Sequence, residues 1–202
     1  MDTEFPKPHK GRPKTIKREH ILDVAMHAYW HEGIEKVSLN SICRKAKISK
    51  PGLYREIGNE DRLMQAVLMR YHHKVLSPLL QMLNGEVHFQ KTLEHLIKFV
   101  TTKPENDEQP LGCLAVKMNE SKRHLGKLTQ QQIIMTQAHI ITVYTNWIEH
   151  AKTKGQFTAN IPSNFAAIYL HTQLSNGLSQ MVRGDKSTTV KKILDTAFLV
   201  LS

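Results

Sequence analysis

Residues 38–57, SLNSICRKAKISKPGLYREI, admit few folds. Leu39, Ile42 and Ala46 recur at helical spacing on one face, and Ser38 stands where a hydroxyl can accept from an unpaired first-turn N–H. The pattern breaks at Lys47-Ile48. Ser49 can cap a second helix, and Pro51 falls in its first turn, where no backbone N–H is missed. Leu53 and Ile57 lie on one side of that helix, which leaves Ser49, Lys50, Gly52, Tyr54 and Arg55 for the other. A short helix with a basic, hydroxyl-rich N-terminal half suits a DNA major groove. Its side chains can reach base edges, and its N-terminal amides can meet phosphate.

The charge balance points the same way. Of a formal net charge of +10, +6 falls in residues 1–74, and residues 7–18 hold six Lys or Arg with no Asp or Glu. Such an excess implies an acidic partner. Two cysteines far apart, Cys43 and Cys113, do not make a disulfide scaffold. No run resembles a signal peptide or is long enough to span a bilayer, so the expected location is the cytoplasm, with no membrane partner.

Read in order, the chain is helical throughout, without strands or internal repeats. Residues 1–13 hold three prolines and no periodicity, and read as a disordered arm. A first helix spans about 15–32, with Ile21, Leu22, Ala25, Ala28 and Tyr29 as its buried stripe and Gly33 as its stop. After the paired short helices, Gly58-Asn59 re-caps the chain, and a fourth helix runs to about residue 76, with Pro78 as a kink or end. Further helices follow over about 87–102, 111–120 and 125–154, the last as one rod or two abutting ones. Two more cover 163–183 and 187–201.

The segments GRPK at 11–14, ILDVAMHAYWHEG at 21–33, VSLNSI at 37–42 and ISKPGLYREI at 48–57 resemble the TetR family of bacterial transcriptional regulators. The resemblance runs from about residue 11 to 71. It departs from the family pattern at Glu60, where a Lys is usual, and at Ile57, where a Phe is usual. It implies an all-α protein in three parts: a disordered basic arm (1–13), a three-helix helix-turn-helix DNA-binding domain (14–74), and a larger ligand-binding and dimerisation domain (75–202). The implied function is a repressor that binds palindromic double-stranded operator DNA as a homodimer and is released by an unknown small-molecule effector, with no cofactor.

Carried onto this sequence, the resemblance gives Ser49, Lys50 and Tyr54 phosphate contacts. Gly52 permits close approach, Arg55 reads a base, and Ser38 and Lys47 support the backbone contact. Arg12 and Lys14 of the arm enter the minor groove. The last two helices are expected to form the subunit interface, through Phe165, Ile168, Leu174, Leu178 and Met181 on one, and Val190, Ile193, Leu194, Ala197 and Phe198 on the other. Small-molecule pockets are mostly apolar with a few polar anchors. Phe99, Cys113, Met118, Met135, Tyr144 and Trp147 are the candidates to line one, with His95 or His139 as anchor.

Rival readings rest on thinner signals. Twelve histidines raise a metal sensor, and Cys113, one turn before Lys117, raises a redox sensor. His27 and His31 are four apart, but no third ligand stands nearby. A metal-dependent enzyme is more distant: there is no His-Glu-x-x-His, no glycine-rich phosphate loop, no nucleophile elbow and no clustered Cys/His spacing. The sequence therefore reads as no enzyme, with no metal site.

Overall fold

A computed structural model of the chain describes residues 18–84, 87–103 and 110–201. The basic arm, with Arg12 and Lys14, lies outside the described residues. Those residues form α1 (Arg18–Glu32), α2 (Leu39–Lys45), α3 (Lys50–Ile57), α4 (Glu60–Tyr71), α5 (Ser77–Gln81), α6 (Phe89–Thr101), α7 (Leu114–Glu120), α8 (Lys127–Thr153), α9 (Ser163–Arg183) and α10 (Ser187–Phe198). There is no strand among them. No helix of the described residues is long and apolar enough to cross a membrane. The chain is all-α, with an N-terminal helix-turn-helix domain and a larger helical domain behind it.

The N-terminal core follows from the apolar stripes. Ile21, Ala25 and Tyr29 of α1 close on Ile42, Leu53 and Leu63, all of them removed from solvent. The expected stop at Gly33 is in place, at φ 96°, with its N–H donating to Tyr29 O at 3.2 Å. Caps set the register of the next three helices. Ser38 Oγ accepts from Ser41 N–H at 3.2 Å, Ser49 Oγ from Gly52 N–H at 3.2 Å, and Asn59 Oδ1 from Arg62 N–H at 2.9 Å. Each satisfies an amide that the helix start leaves unpaired. The α2–α3 turn ends α2 in a double closure: Ile48 N–H donates to Cys43 O at 3.0 Å and Lys47 N–H to Arg44 O at 3.3 Å. That motif needs a left-handed residue between them, and Lys47 supplies it at φ 53°.

Pro78, read as a kink or an end, does not end the helix. The chain passes from α4 through a π-helical turn, His72–Leu76, and stays helical to Gln81. A proline inside a helix clashes with the carbonyl four residues earlier. The widened turn, closed by Ser77 N–H on His72 O, gives the ring room. The region from 125 onward is one rod, α8, beginning at Lys127.

Two polar ties join α4 to its neighbours. Arg70 donates to both carboxylate oxygens of Asp23 on α1 at 2.6 Å, and Lys74 donates to the same group at 2.8 Å. The Arg70 hydrogen bond holds the Asp23 carboxyl at about 2, against the ordinary 3.8, with Lys74 adding to it. Because the folded value is the lower one, this tie stabilises above pH 4 and is lost as pH falls from about 4 to 2. Half-exposure limits its worth, so Asp23→Asn should cost about 0.5–1 kcal/mol at pH 7 and nothing at pH 2, as urea titrations at both values would read.

The second tie is longer in sequence. Gly126, at the start of α8, has no side chain with which to cap that helix. Asp61, in the first turn of α4, does it instead. Its carboxylate accepts from Leu128 N–H at 3.0 Å, Thr129 N–H at 2.9 Å and the Thr129 hydroxyl at 2.7 Å. Thr129 is fully buried. A Cβ at Gly126 would lie 2.2 Å from Asp61 Cγ, so only glycine admits this approach.

Candidate functional site

Helix α3 is anchored through Leu53 and Ile57, both buried, and turns the opposite face outward. Ser49, Lys50, Tyr54 and Arg55 are exposed there, Tyr54 by 43% and the Arg55 side chain by 76%. Lys47 and Lys50 form no ion pair among the described residues, whereas Lys45 is engaged by Glu32 of α1. Ser38 and Ser49 accept as caps but keep their own O–H free to donate. The result is a cationic, hydroxyl-bearing ridge on a short helix.

Gly52 is placed differently from its expected role. It is buried, and a Cβ there would meet Ile48 Cγ1 at 2.9 Å and Ser49 Oγ at 3.1 Å. The glycine serves the tight packing of Ile48 beneath α3 rather than the outer face.

Behind this domain lies a cavity of about 810 Å³, walled by residues of α1 and of α4 to α9. Of the residues expected to line a pocket, Phe99, Cys113 and Tyr144 do so. The others do not. Met118 is wholly buried in packing, Trp147 stacks on Phe89 at 4.5 Å, and Met135 is 65% exposed on the outer side of α8. His95 is exposed on α6, and His139 meets His72 edge-on at 5.0 Å. Helical spacing placed them on helices without saying which side faced inward. Sequence reading missed His27 and Trp30 of α1, Tyr71 of α4, Gln137 of α8 and His171 of α9. For Gln137 the signal was the spacing of Thr136, Gln137, Ile140 and Tyr144 along one α8 face; the other four lie on different helices and carried none.

The cavity wall is also the joint between the two domains. Trp30 Nε1–H donates to Gly112 O at 3.0 Å, Lys117 Nζ donates to Trp30 O at 2.6 Å, and the Trp30 ring meets Tyr71 edge-on at 4.9 Å. Tyr71 O–H donates to Cys113 Sγ at 3.3 Å. Burial pushes the Cys113 thiol up, more than its hydrogen bonds and Lys117 bring it down, and burial lowers Lys117. That is the environment of a protonated, packed thiol, opposite to the acidified one an oxidant sensor uses. His27 and His31 stack at 5.1 Å. No group of three or more His, Cys, Asp or Glu among the described residues could hold a metal ion.

The expected interface residues divide by face. Leu174, Met181, Val190, Leu194 and Phe198 are buried inside this chain, where α9 and α10 pack on α6 and α8, so they cannot present a surface to another copy. Leu178 and Ala197 are partly buried. Phe165, Ile168 and Ile193 are exposed, and Val182, Leu199 and Val200 join them.

Comparison with known proteins agrees with this geometry. Residues 21–67 match the model of the family described as bacterial regulatory proteins, tetR family. The HTH-type transcriptional repressor ComR of Escherichia coli is 29% identical over 115 residues, a match that covers 56% of this chain; the chain spans 55% of that relative's length. A cysteine mutant of the TetR family regulator CifR, complexed with 26-bp double-strand operator DNA, superposes with a TM-score of 0.78 at 20% identity, covering 95% of this chain and 100% of that one. The reduced form of E. coli NemR gives 0.78 at 15% identity, covering 92% and 97%. Residues 21–67, with the capped helix-turn-helix, thus match the tetR-family domain of bacterial regulatory proteins, and the chain as a whole shares the fold of these solved regulators.

Proposed function

We propose that this chain is a cytoplasmic transcriptional repressor that binds palindromic operator DNA as a homodimer and lets go when a small molecule enters the cavity. The observation that carries the DNA reading is the outward face of α3, where Ser49, Lys50, Tyr54 and Arg55 stand exposed on a helix fixed from behind. Residues 14–74 contact DNA, with Arg12 and Lys14 reaching the minor groove, and 75–202 sense and dimerise. The superposed CifR complex, which holds operator DNA, supports the same use of this fold. Phe165, Ile168 and Ile193 form the exposed strip through which a second copy docks. Two recognition helices about one DNA turn apart (roughly 34 Å) multiply the few base pairs that one can read.

Release follows from the cavity's walls. Trp30 of α1 and Tyr71 of α4 belong both to the DNA-binding half and to the cavity lining. A ligand that displaces them shifts the two-state balance away from the DNA-competent spacing.

The test is a gel shift with DNA from the region upstream of the protein's own gene, repeated across salt concentrations. Wild type should bind tightly with a steep salt dependence. Lys50→Ala should weaken binding to all sequences alike and reduce the salt slope by about one. Salt-independent binding, or no binding at any salt, would refute the DNA reading. Sedimentation of Phe165→Glu, expected to be monomeric, tests the dimer strip.

A further inference from the structure

We propose that the cavity takes an uncharged, largely hydrocarbon molecule bearing one or two hydrogen-bonding oxygen or nitrogen groups, which Gln137, Tyr144 and His171 hold. The inference rests on the reading of the cavity as the effector site and adds the chemistry of what enters it.

Among the described residues, the lining contains no carboxylate and no guanidinium. Lys103 and His27, at its exposed edges, are open to water and to screening. The deep walls are apolar: Leu68, Leu76, Val100, Ile133, Ile140 and Leu174. A charged ligand placed among them would lose its hydration with no opposite charge to replace it, at a cost of several kcal/mol. A cavity of about 810 Å³ is within the range for a drug-sized organic molecule.

The polar groups that remain are unspent. Tyr71 O–H is already committed to Cys113 Sγ. Gln137, Tyr144 and His171 line the cavity, and none has a hydrogen-bond partner among the described residues. Gln137 and Tyr144 lie two turns apart on one face of α8, and His171 of α9 sits across from Tyr144, ring centroids 6.3 Å apart. Burial lowers the His171 pKa and raises that of Tyr144, so both face the cavity as neutral groups near pH 7. A neutral phenol, imidazole and amide can donate to a carbonyl or accept from an N–H or O–H. They carry no charge to offset an ion's.

The experiment uses two dyes with one ring skeleton. N-phenyl-1-naphthylamine is uncharged with one N–H; 1-anilinonaphthalene-8-sulfonate adds a sulfonate. Titrated into the full-length protein, the uncharged dye should bind with a blue-shifted rise in fluorescence. The sulfonate should bind at least about tenfold more weakly, the penalty for an unpaired buried charge. Ser175→Trp, which puts an indole into the cavity, should abolish binding of the uncharged dye. If that variant misfolds by circular dichroism, the milder Ser175→Leu should still weaken it by roughly fivefold. Gln137→Leu, nearly unchanged in shape, should cost about threefold to tenfold by removing one hydrogen bond. Equal or tighter binding of the sulfonate, failure of the uncharged dye to bind, or indifference to both Ser175 substitutions would overturn the proposal. Cavity binding of the uncharged dye with no change in DNA affinity would count against the release reading alone and leave the ligand class standing.

Discussion

Asp61→Ala should destabilise the protein by about 1–3 kcal/mol, the cost of a lost helix cap that leaves two α8 amides without their acceptor, while the Thr129 hydroxyl keeps the Asp61 backbone carbonyl at 3.0 Å. The carboxylate has three donors on α8, two of them backbone amides that nothing else can satisfy, because the cap position is Gly126. Burial raises its pKa, but the hydrogen bonds from Thr129 and Leu128 outweigh it, so the folded value lies below the ordinary 3.8. The contribution is therefore present above the unfolded pKa and disappears as pH falls through the folded one. Asp61→Asn keeps the shape and loses the charge, so its deficit at pH 7 should shrink on acidification, while that of Asp61→Ala should persist in part. Gly126→Ala should mimic the loss from the other side, since its methyl displaces the carboxylate. Urea unfolding followed by far-ultraviolet circular dichroism reads all three. Only Gly58 and Asn59 separate α3 from α4, so this tie also fixes α3, the helix proposed to face DNA, to the rod that walls the cavity. The substitution should thus weaken DNA binding even at temperatures where the protein stays folded; unchanged stability would mean the cap is idle.

Arg55→Ala should leave stability within about 0.5 kcal/mol, as expected for an exposed side chain, and cost about 1–3 kcal/mol on the cognate operator. The side chain's recorded ion-pair contact is a loose one, 3.6 Å to its neighbour Glu56. On random DNA the loss should be much smaller, because a base contact carries discrimination and a phosphate contact does not. Competition between operator and random duplexes separates the two. Equal loss on both would reassign Arg55 to the backbone and leave base reading to Tyr54 or to residues of the arm.

What the residues alone made legible was whatever depends on near neighbours in the chain. Ser38 and Ser49 as caps, Gly33 as a stop and Pro51 in a first turn are all decided within four residues, and each stands where expected. The apolar stripe of α1 was readable for the same reason. Facing was harder. Met135 and Trp147 lie on one helix and are both large and apolar, yet one is open to solvent and the other stacked inside, because α8 is contacted by different partners along its length. The expected interface residues divided similarly, some buried inside the chain and some exposed: a helix with apolar residues on two sides does not say which side its own chain covers. Contacts that span many residues, such as Asp61 to Thr129 or Trp30 to Gly112, leave no local trace. Pro78 misled because the remedy, a π turn placed before it, has no residue signature of its own.

The left-handed backbone at Lys47 sets robustness against grip. A lysine there carries steric strain that glycine would relieve, yet it also brings a cation to the turn before α3, the helix proposed to meet DNA. Drift toward Gly or Asn would toughen the turn and loosen the hold on nucleic acid, so no single residue at this position maximises both. If the proposed release from DNA holds, the less comfortable residue is the one that suits it.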